Sequence, residues 1–184
     1  MRYFLLLVIT AFLASCSGGQ GQDAAVSDAA TADSLAQSAQ VYADAPMDIE
    51  QTAQHGAHAY HVLIHREACD SLPTHTDEFG TVFADYTVRV TVRRDSKAGS
   101  VLFDRTFTKQ AFAAYVPKAD LQRSILDGIG YDRIDADGLH FGVSIAQPDS
   151  EGGTRLSLII DFAGGSRITA AEAIDERAED SPQD

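Results

Sequence analysis

Metal-ligating and titratable side chains crowd one stretch of the chain, where His55, His58, His61 and His65 are followed by Glu67, Cys69, Asp70 and His75. Imidazole, thiolate and carboxylate are the ligands of zinc and copper, and on a helix His58, His61 and His65 would share a face at i, i+3 and i+7. The local pattern points elsewhere. Tyr60, Val62 and Ile64 alternate with His61, Leu63 and His65, which is the period of a strand. Four residues along a strand separate two side chains by roughly 13 Å, too far for two ligands of one ion. No residue is assigned to a metal on this basis. Zinc or copper binding in the His55 to His75 region stands as the alternative reading, and it would need ligands from neighbouring strands. No HExxH and no paired CxxC accompanies it.

Other constellations fail on their chemistry. Aligning Gly138 of DRIDADG with the glycine of a calcium loop puts Arg133 and Ser144 at the first and twelfth positions, where Asp and a bidentate Glu are required. Asp137 and Gly138 then read as a type I′ hairpin turn between two alternating segments. There is no GxSxG elbow, no GxxxxGK[ST] phosphate loop and no strand-GxGxxG-helix unit. The expectation is a protein without a catalytic residue or a cofactor, and not an enzyme. Arg89 and Arg93 alternate outward from the clearest strand, with Arg94 and Arg105 near in sequence. They make a local positive charge on which an anionic ligand or partner could dock, unless surface carboxylates neutralise it.

The most specific signal lies at the start, where Arg2 precedes an apolar run from Tyr3 to Leu13 and then Ala14, Ser15 and Cys16. The run is shorter than the ~20 residues a spanning helix needs. Small residues before a cysteine suit a peptidase that cleaves once the sulfur is lipidated, so Cys16 becomes the mature N-terminus of a bacterial lipoprotein, carrying acyl groups such as palmitate. Ser17 follows the cysteine, and no aspartate of the kind associated with inner-membrane retention stands there. The address expected is therefore the outer membrane.

Composition agrees with an anchor that is covalent. The chain carries 14 basic and 27 acidic side chains, a formal charge of −13, and loss of the leader removes only Arg2. Such a surface repels nucleic acid, which is bound mainly through Lys and Arg on phosphates, and it repels anionic lipid as well. With Cys16 lipidated, Cys69 has no partner for an internal disulfide and reads as a small core residue.

Four parts follow. Residues 1–15 are the signal peptide. Residues 16–56 are the lipidated cysteine and a tether rich in Gly, Ala, Ser, Gln and Asp, too poor in large apolar side chains to fold; about thirty residues of such coil span roughly 30 Å. Residues 57–171 form one β-rich domain, and residues 172–184, with six acids against Arg177 alone, are an acidic solvated tail. Within the domain, alternation marks strands at Tyr86–Arg93, Leu139–Ala146 and Leu156–Phe162, the last two forming a hairpin. Weaker strands are read at Tyr60–Arg66, Val101–Phe107, Ile129–Ile134 and Ser166–Ala170. A helical passage capped by Thr108 carries Phe112, Tyr115 and Val116 on one face, then Leu121 and Ile125 after Pro117. The fold class expected is α+β, mostly β: a single domain with an antiparallel sheet of six or seven strands and an inserted short helical segment.

The segments IHREACDSLPTHTDEFGTVFADYTVRVTV, VLFDRTFTKQAFAAY and LHFGVSIAQPDSEGGTRLSLII, in this order, resemble small lipoproteins of the Bacteroidetes type that carry a domain of unknown function. The resemblance covers Tyr60 to Ile168, and its most recognisable pieces are the SLP and DE of Ser71 to Glu78 and the RTFTK of Arg105 to Lys109. The histidine cluster is not part of the pattern. The resemblance implies a cell-envelope protein with a compact β-rich domain and no established activity. Taken together, the sequence predicts a non-enzymatic module anchored to the membrane by its N-terminal lipid, whose partner is an envelope protein or a small ligand.

Overall fold

The computed structural model describes residues 40–148 and 152–171. The segments read as signal peptide and, up to residue 39, as tether, with Cys16 between them, and the acidic segment 172–184 lie outside the described residues. Among the described residues eleven strands are formed in chain order: β1 (Val41–Tyr42), β2 (Met47–His55), β3 (His58–Ala68), β4 (His75–Thr76), β5 (Val82–Phe83), β6 (Tyr86–Arg94), β7 (Val101–Phe107), β8 (Ile125–Asp135), β9 (Gly138–Ala146), β10 (Gly153–Ile160) and β11 (Ser166–Ala170). A 3₁₀ turn at Lys109–Phe112 and helix α1 at Lys118–Arg123 stand between β7 and β8.

The mostly β character holds, but among the described residues the strands make three sheets rather than one of six or seven. Their orders are β2-β3-β6-β7, β11-β10-β9-β8 and β1-β5-β4. Alternation says which face of a strand is buried; it does not say which strands share a ladder. Both four-stranded sheets bury one face, and one core serves both. Tyr60, Val62 and Ile64 of β3 and Val88, Val90 and Val92 of β6 meet Phe141, Val143, Ile145, Leu156, Leu158 and Ile160 of the second sheet. Phe112, Val116 and Leu121 cap this core.

The folded body begins earlier than residue 57. β2 pairs with β3 along its whole length, from Met47 opposite Arg66 to His55 opposite His58, so the last residues assigned to the tether are strand. Only Ala53 is buried along β2, which leaves almost no alternation to read; the ladder with β3 supplies what the side chains do not. Ahead of it, Asp44 ties the chain down. Its carboxylate accepts from Arg66 at 3.0 Å and from the Tyr86 hydroxyl at 3.2 Å, while its amide donates to that hydroxyl at 2.9 Å.

The helical passage is shorter than expected. Thr108 makes no side-chain capping bond, Tyr115 is exposed while Phe112 and Val116 are buried, and Ile125 opens β8 instead of closing a helix. The β8–β9 hairpin is present, yet its turn is not type I′. Asp135 pairs with Gly138, so Ala136 and Asp137 are the central residues, and neither has a positive φ. The positive φ belongs to Gly138, at 135°, where a Cβ would stand 2.2 Å from the Ile160 carbonyl oxygen. Only glycine fits there.

A candidate ligand-binding face on the first sheet

Because Tyr60, Val62 and Ile64 point into the core, His61, Leu63 and His65 point outward from β3; Arg89, Thr91 and Arg93 do the same from β6. Register sets His61 beside Arg93, Leu63 beside Thr91 and His65 beside Arg89. On the other side β2 places Thr52, Glu50 and Asp48 against His61, Leu63 and His65, and β7 places Asp104 against Thr91. The result is a band of basic side chains on the two central strands, flanked by acids on the two outer ones. It floors a recess of about 560 Å³. Lys97, from the loop after β6, reaches across to Glu50 and straps one side of it.

The pairing is uneven across the band. Arg89 holds Asp104 through two bonds, Nε at 2.7 Å and Nη2 at 2.6 Å. This contact pushes the Arg89 guanidinium up and holds the Asp104 carboxyl below its usual range. His65 donates from Nδ1 to Asp48 at 2.7 Å and stands 3.6 Å from Glu67, and the hydrogen bond to Asp48 raises it above the usual imidazole value against a smaller effect of burial. His61 meets the Thr52 hydroxyl at 3.2 Å. Arg93 differs from its neighbours: it donates to the Gly99 carbonyl at 3.1 Å and makes no ion pair among the described residues, acting on Asp104 only through its charge. Of the four cations and imidazoles on the band, Arg93 and His61 are left to receive an anion.

The other histidines are dispersed. His55 stacks on Phe162 with ring centroids 4.6 Å apart, His58 bonds Asp95 at 2.9 Å, and His75 is buried. Asp70 is exposed, and Cys69, expected in the core, is only partly buried with its sulfur 3.1 Å from the Ser71 hydroxyl. Among the described residues no group of three His, Cys, Asp or Glu side chains comes together to hold a metal ion. The residues of DRIDADG fold on themselves, with Asp135 accepting from the Asp137 amide and facing His140.

A second polar cluster escaped the sequence. Asp85, His75 and Lys109 are 1%, 7% and 5% exposed. The Lys109 ammonium directs its three protons to His75 Nε2 at 2.7 Å, the Ser124 carbonyl at 2.6 Å and Asp85 Oδ2 at 3.2 Å. His75 Nε2 is also 3.5 Å from Asp85 Oδ2, so ring, ammonium and carboxylate meet at one point. Asp85 also accepts from the amides of Tyr86 and Leu126 at 2.9 and 3.0 Å. Burial pushes its carboxyl up; the contact with His75, the two amides and the Lys109 charge outweigh this and hold it below the usual carboxylate range. These residue types can move protons, yet here every Lys109 proton is committed inside the protein. The cluster fastens β4, the 3₁₀ turn and the start of β8 to one another. No sequence signal marks it: Lys109 stands between the polar Thr108 and Gln110, and its partners are distant in the chain.

A family model described as a domain of unknown function (DUF4738) matches residues 26–168. The chain belongs to the DUF4738 family. No curated protein matches it. The DUF4738 match takes in the band, the recess and the buried cluster, and stops at Ile168, before the acidic segment. It also reaches back to Val26, into the stretch assigned to the tether. The DUF4738 description names no activity, so it hands no role to any residue.

Proposed function

We propose that this DUF4738 protein is a non-enzymatic binding module of the cell envelope, a lipoprotein of the Bacteroidetes type held to the outer membrane by acyl chains on Cys16, which takes an anionic ligand or partner on the outer face of its first sheet. The observation that carries the binding reading is Arg93. It is a guanidinium with no ion pair among the described residues, beside His61 and at the edge of a recess, in a chain whose net charge is −13. A bidentate carboxylate or phosphate matches the remaining donors of that group. The anchor reading rests on Leu13, Ala14, Ser15 and Cys16.

Two experiments test it. Amide chemical shifts followed during titration with succinate and with inorganic phosphate should move at Thr52, His61 and Arg93, and Arg93→Gln should abolish the movement; silence across the whole face sinks the binding reading. Labelling of cells with an alkyne analogue of palmitate should mark the full-length protein and leave Cys16→Ser unmarked. An unlabelled wild-type protein sinks the anchor.

A further inference from the structure

The two four-stranded sheets each end on a strand that has a neighbour on one side only: β7 pairs with β6, and β11 with β10. These two ends lie side by side. The turn after β10 brings Gly164 so close to β7 that a Cβ on it would stand 2.5 Å from the Leu102 carbonyl oxygen. Past that contact the strands part around a groove of about 510 Å³, walled by Arg105, Thr106 and Phe107 on one side and Ser166, Arg167 and Ile168 on the other. Leu158 forms its floor, and Tyr115, exposed, stands at its rim.

We infer that this groove receives an extended acidic segment of a partner protein, laid along the free edge of β7. An unpaired strand edge offers backbone donors and acceptors to an added strand, while alternating side-chain positions supply specificity. Ile168, half-buried, is the apolar position open to an added segment, above the buried Phe107 and Leu158. The charged ones are Arg105 and Arg167. Arg105 is exposed, and among the described residues it has no ion pair, only the Phe103 ring 5.9 Å away. Arg167 holds Asp137 at 2.9 Å, an exposed contact that a carboxylate from the partner can exchange. Two guanidiniums bordering one groove of a chain with net charge −13 select an acidic occupant.

The same charges argue against other occupants. A second copy would bring its own Arg105 and Arg167 to the seam. Residues 172–184 of this chain are acidic, but their acids fall in adjacent pairs, Asp175–Glu176 and Glu179–Asp180, and do not alternate with apolar residues as a strand on this floor requires.

The test uses the full mature chain and a synthetic octapeptide of alternating Glu and Val, with a Lys and Val peptide as control. The acidic peptide should shift the amides of Arg105 to Phe107 and Ser166 to Ile168. Binding should weaken roughly tenfold in Arg105→Glu and fall with added salt, and Arg93→Gln should leave it unchanged. That last arm separates this inference from the reading of the first sheet's outer face. Equal binding of both peptides, shifts confined to the recess, or no shift at either strand overturns the proposal. So does binding that appears only after residues 172–184 are deleted, which would give the groove to the chain's own acidic segment.

Discussion

The Asp85–His75–Lys109 cluster and the outer face of the first sheet are built from the same kinds of side chain, and they are opposites. In the cluster a carboxylate, an imidazole and an ammonium lie sealed from solvent, and their hydrogen bonds are made with one another and with main-chain groups. On the face, Arg89, Asp104, His65 and Asp48 are bathed in water. The lesson is that polar residue type does not define a site; solvent access and spare bonding capacity do. A buried charge network with every ammonium proton committed specifies structure, whereas an exposed band whose Arg93 makes no ion pair among the described residues is able to recognise something.

The strongest way to break this comparison is to remove Lys109. Lys109→Ala leaves Asp85 buried with its negative charge uncompensated, and losing one partner of a buried ion pair costs about 3–5 kcal/mol. Urea unfolding should show that loss as a lower midpoint at neutral pH. Asp85 also gives the sign of the acid response. Its carboxyl lies below its ordinary 3.8 in the folded state, so its contribution is present above that value and disappears as the pH falls through the lower folded one. The acid limb of the stability curve should therefore flatten in Asp85→Asn. A Lys109→Ala protein as stable as the wild type would mean that the cluster does not hold the fold together.

Asp44 and Arg66 test the middle ground, a pair with one end buried. The Arg66 side chain is 8% exposed and that of Asp44 70%, and the guanidinium lies over the Tyr86 ring at 3.5 Å. Asp44→Ala removes a charge-assisted bond worth about 1.5–3 kcal/mol. The effect should fall between that of the cluster and those of the face. Limited proteolysis should find the segment at Val41 to Pro46 more readily cleaved in the variant, because only the short β1–β5 pairing and the main-chain amide bond to Tyr86 then help hold it.

The exposed pair should respond differently. In Asp104→Asn the Arg89 guanidinium loses its bidentate partner but keeps its water, so the unfolding midpoint should barely move, and 1 M salt should erase what difference there is. The variant is informative for binding instead. Freed from Asp104, Arg89 joins Arg93 as a second guanidinium with no ion pair among the described residues, and the affinity for inorganic phosphate should rise. A large stability loss with no change in phosphate affinity would reverse the roles assigned to the two regions.

How far the residues themselves disclosed this arrangement differs between backbone and site. Val88, Val90 and Val92 announce β6, and with it the outward Arg89 and Arg93, because a strand buried on one face writes its period into the sequence. β2 wrote almost nothing, since Ala53 is its only buried residue and its stability comes from pairing with β3. The division into three sheets was illegible for a related reason, as partner choice depends on long-range register. His75, Asp85 and Lys109 are distant in sequence, and they meet only when β4, the start of β6 and the 3₁₀ turn converge; no spacing could have revealed them. The histidine cluster misled by proximity. Neighbours in sequence, His58, His61 and His65 ended on different partners, Asp95, Thr52 and Asp48.

His65 offers the smallest and finest probe of the face. Its bond to Asp48 raises it above the ordinary 6.5, which means that the proton favours the folded state. The contribution is therefore complete below 6.5 and is lost as the pH rises through the raised folded value. An NMR titration of the His65 ring should show its midpoint moving down toward 6.5 in Asp48→Asn, and moving the same way in concentrated salt, because both partners are open to solvent. Removal of Glu67, 3.6 Å away on the other ring nitrogen, should act in the same direction and less strongly. If instead the midpoint ignores both carboxylates and the salt, the charges on the face do not sense one another. An anion arriving at Arg93 would then have no electrostatic band to read, only a single guanidinium.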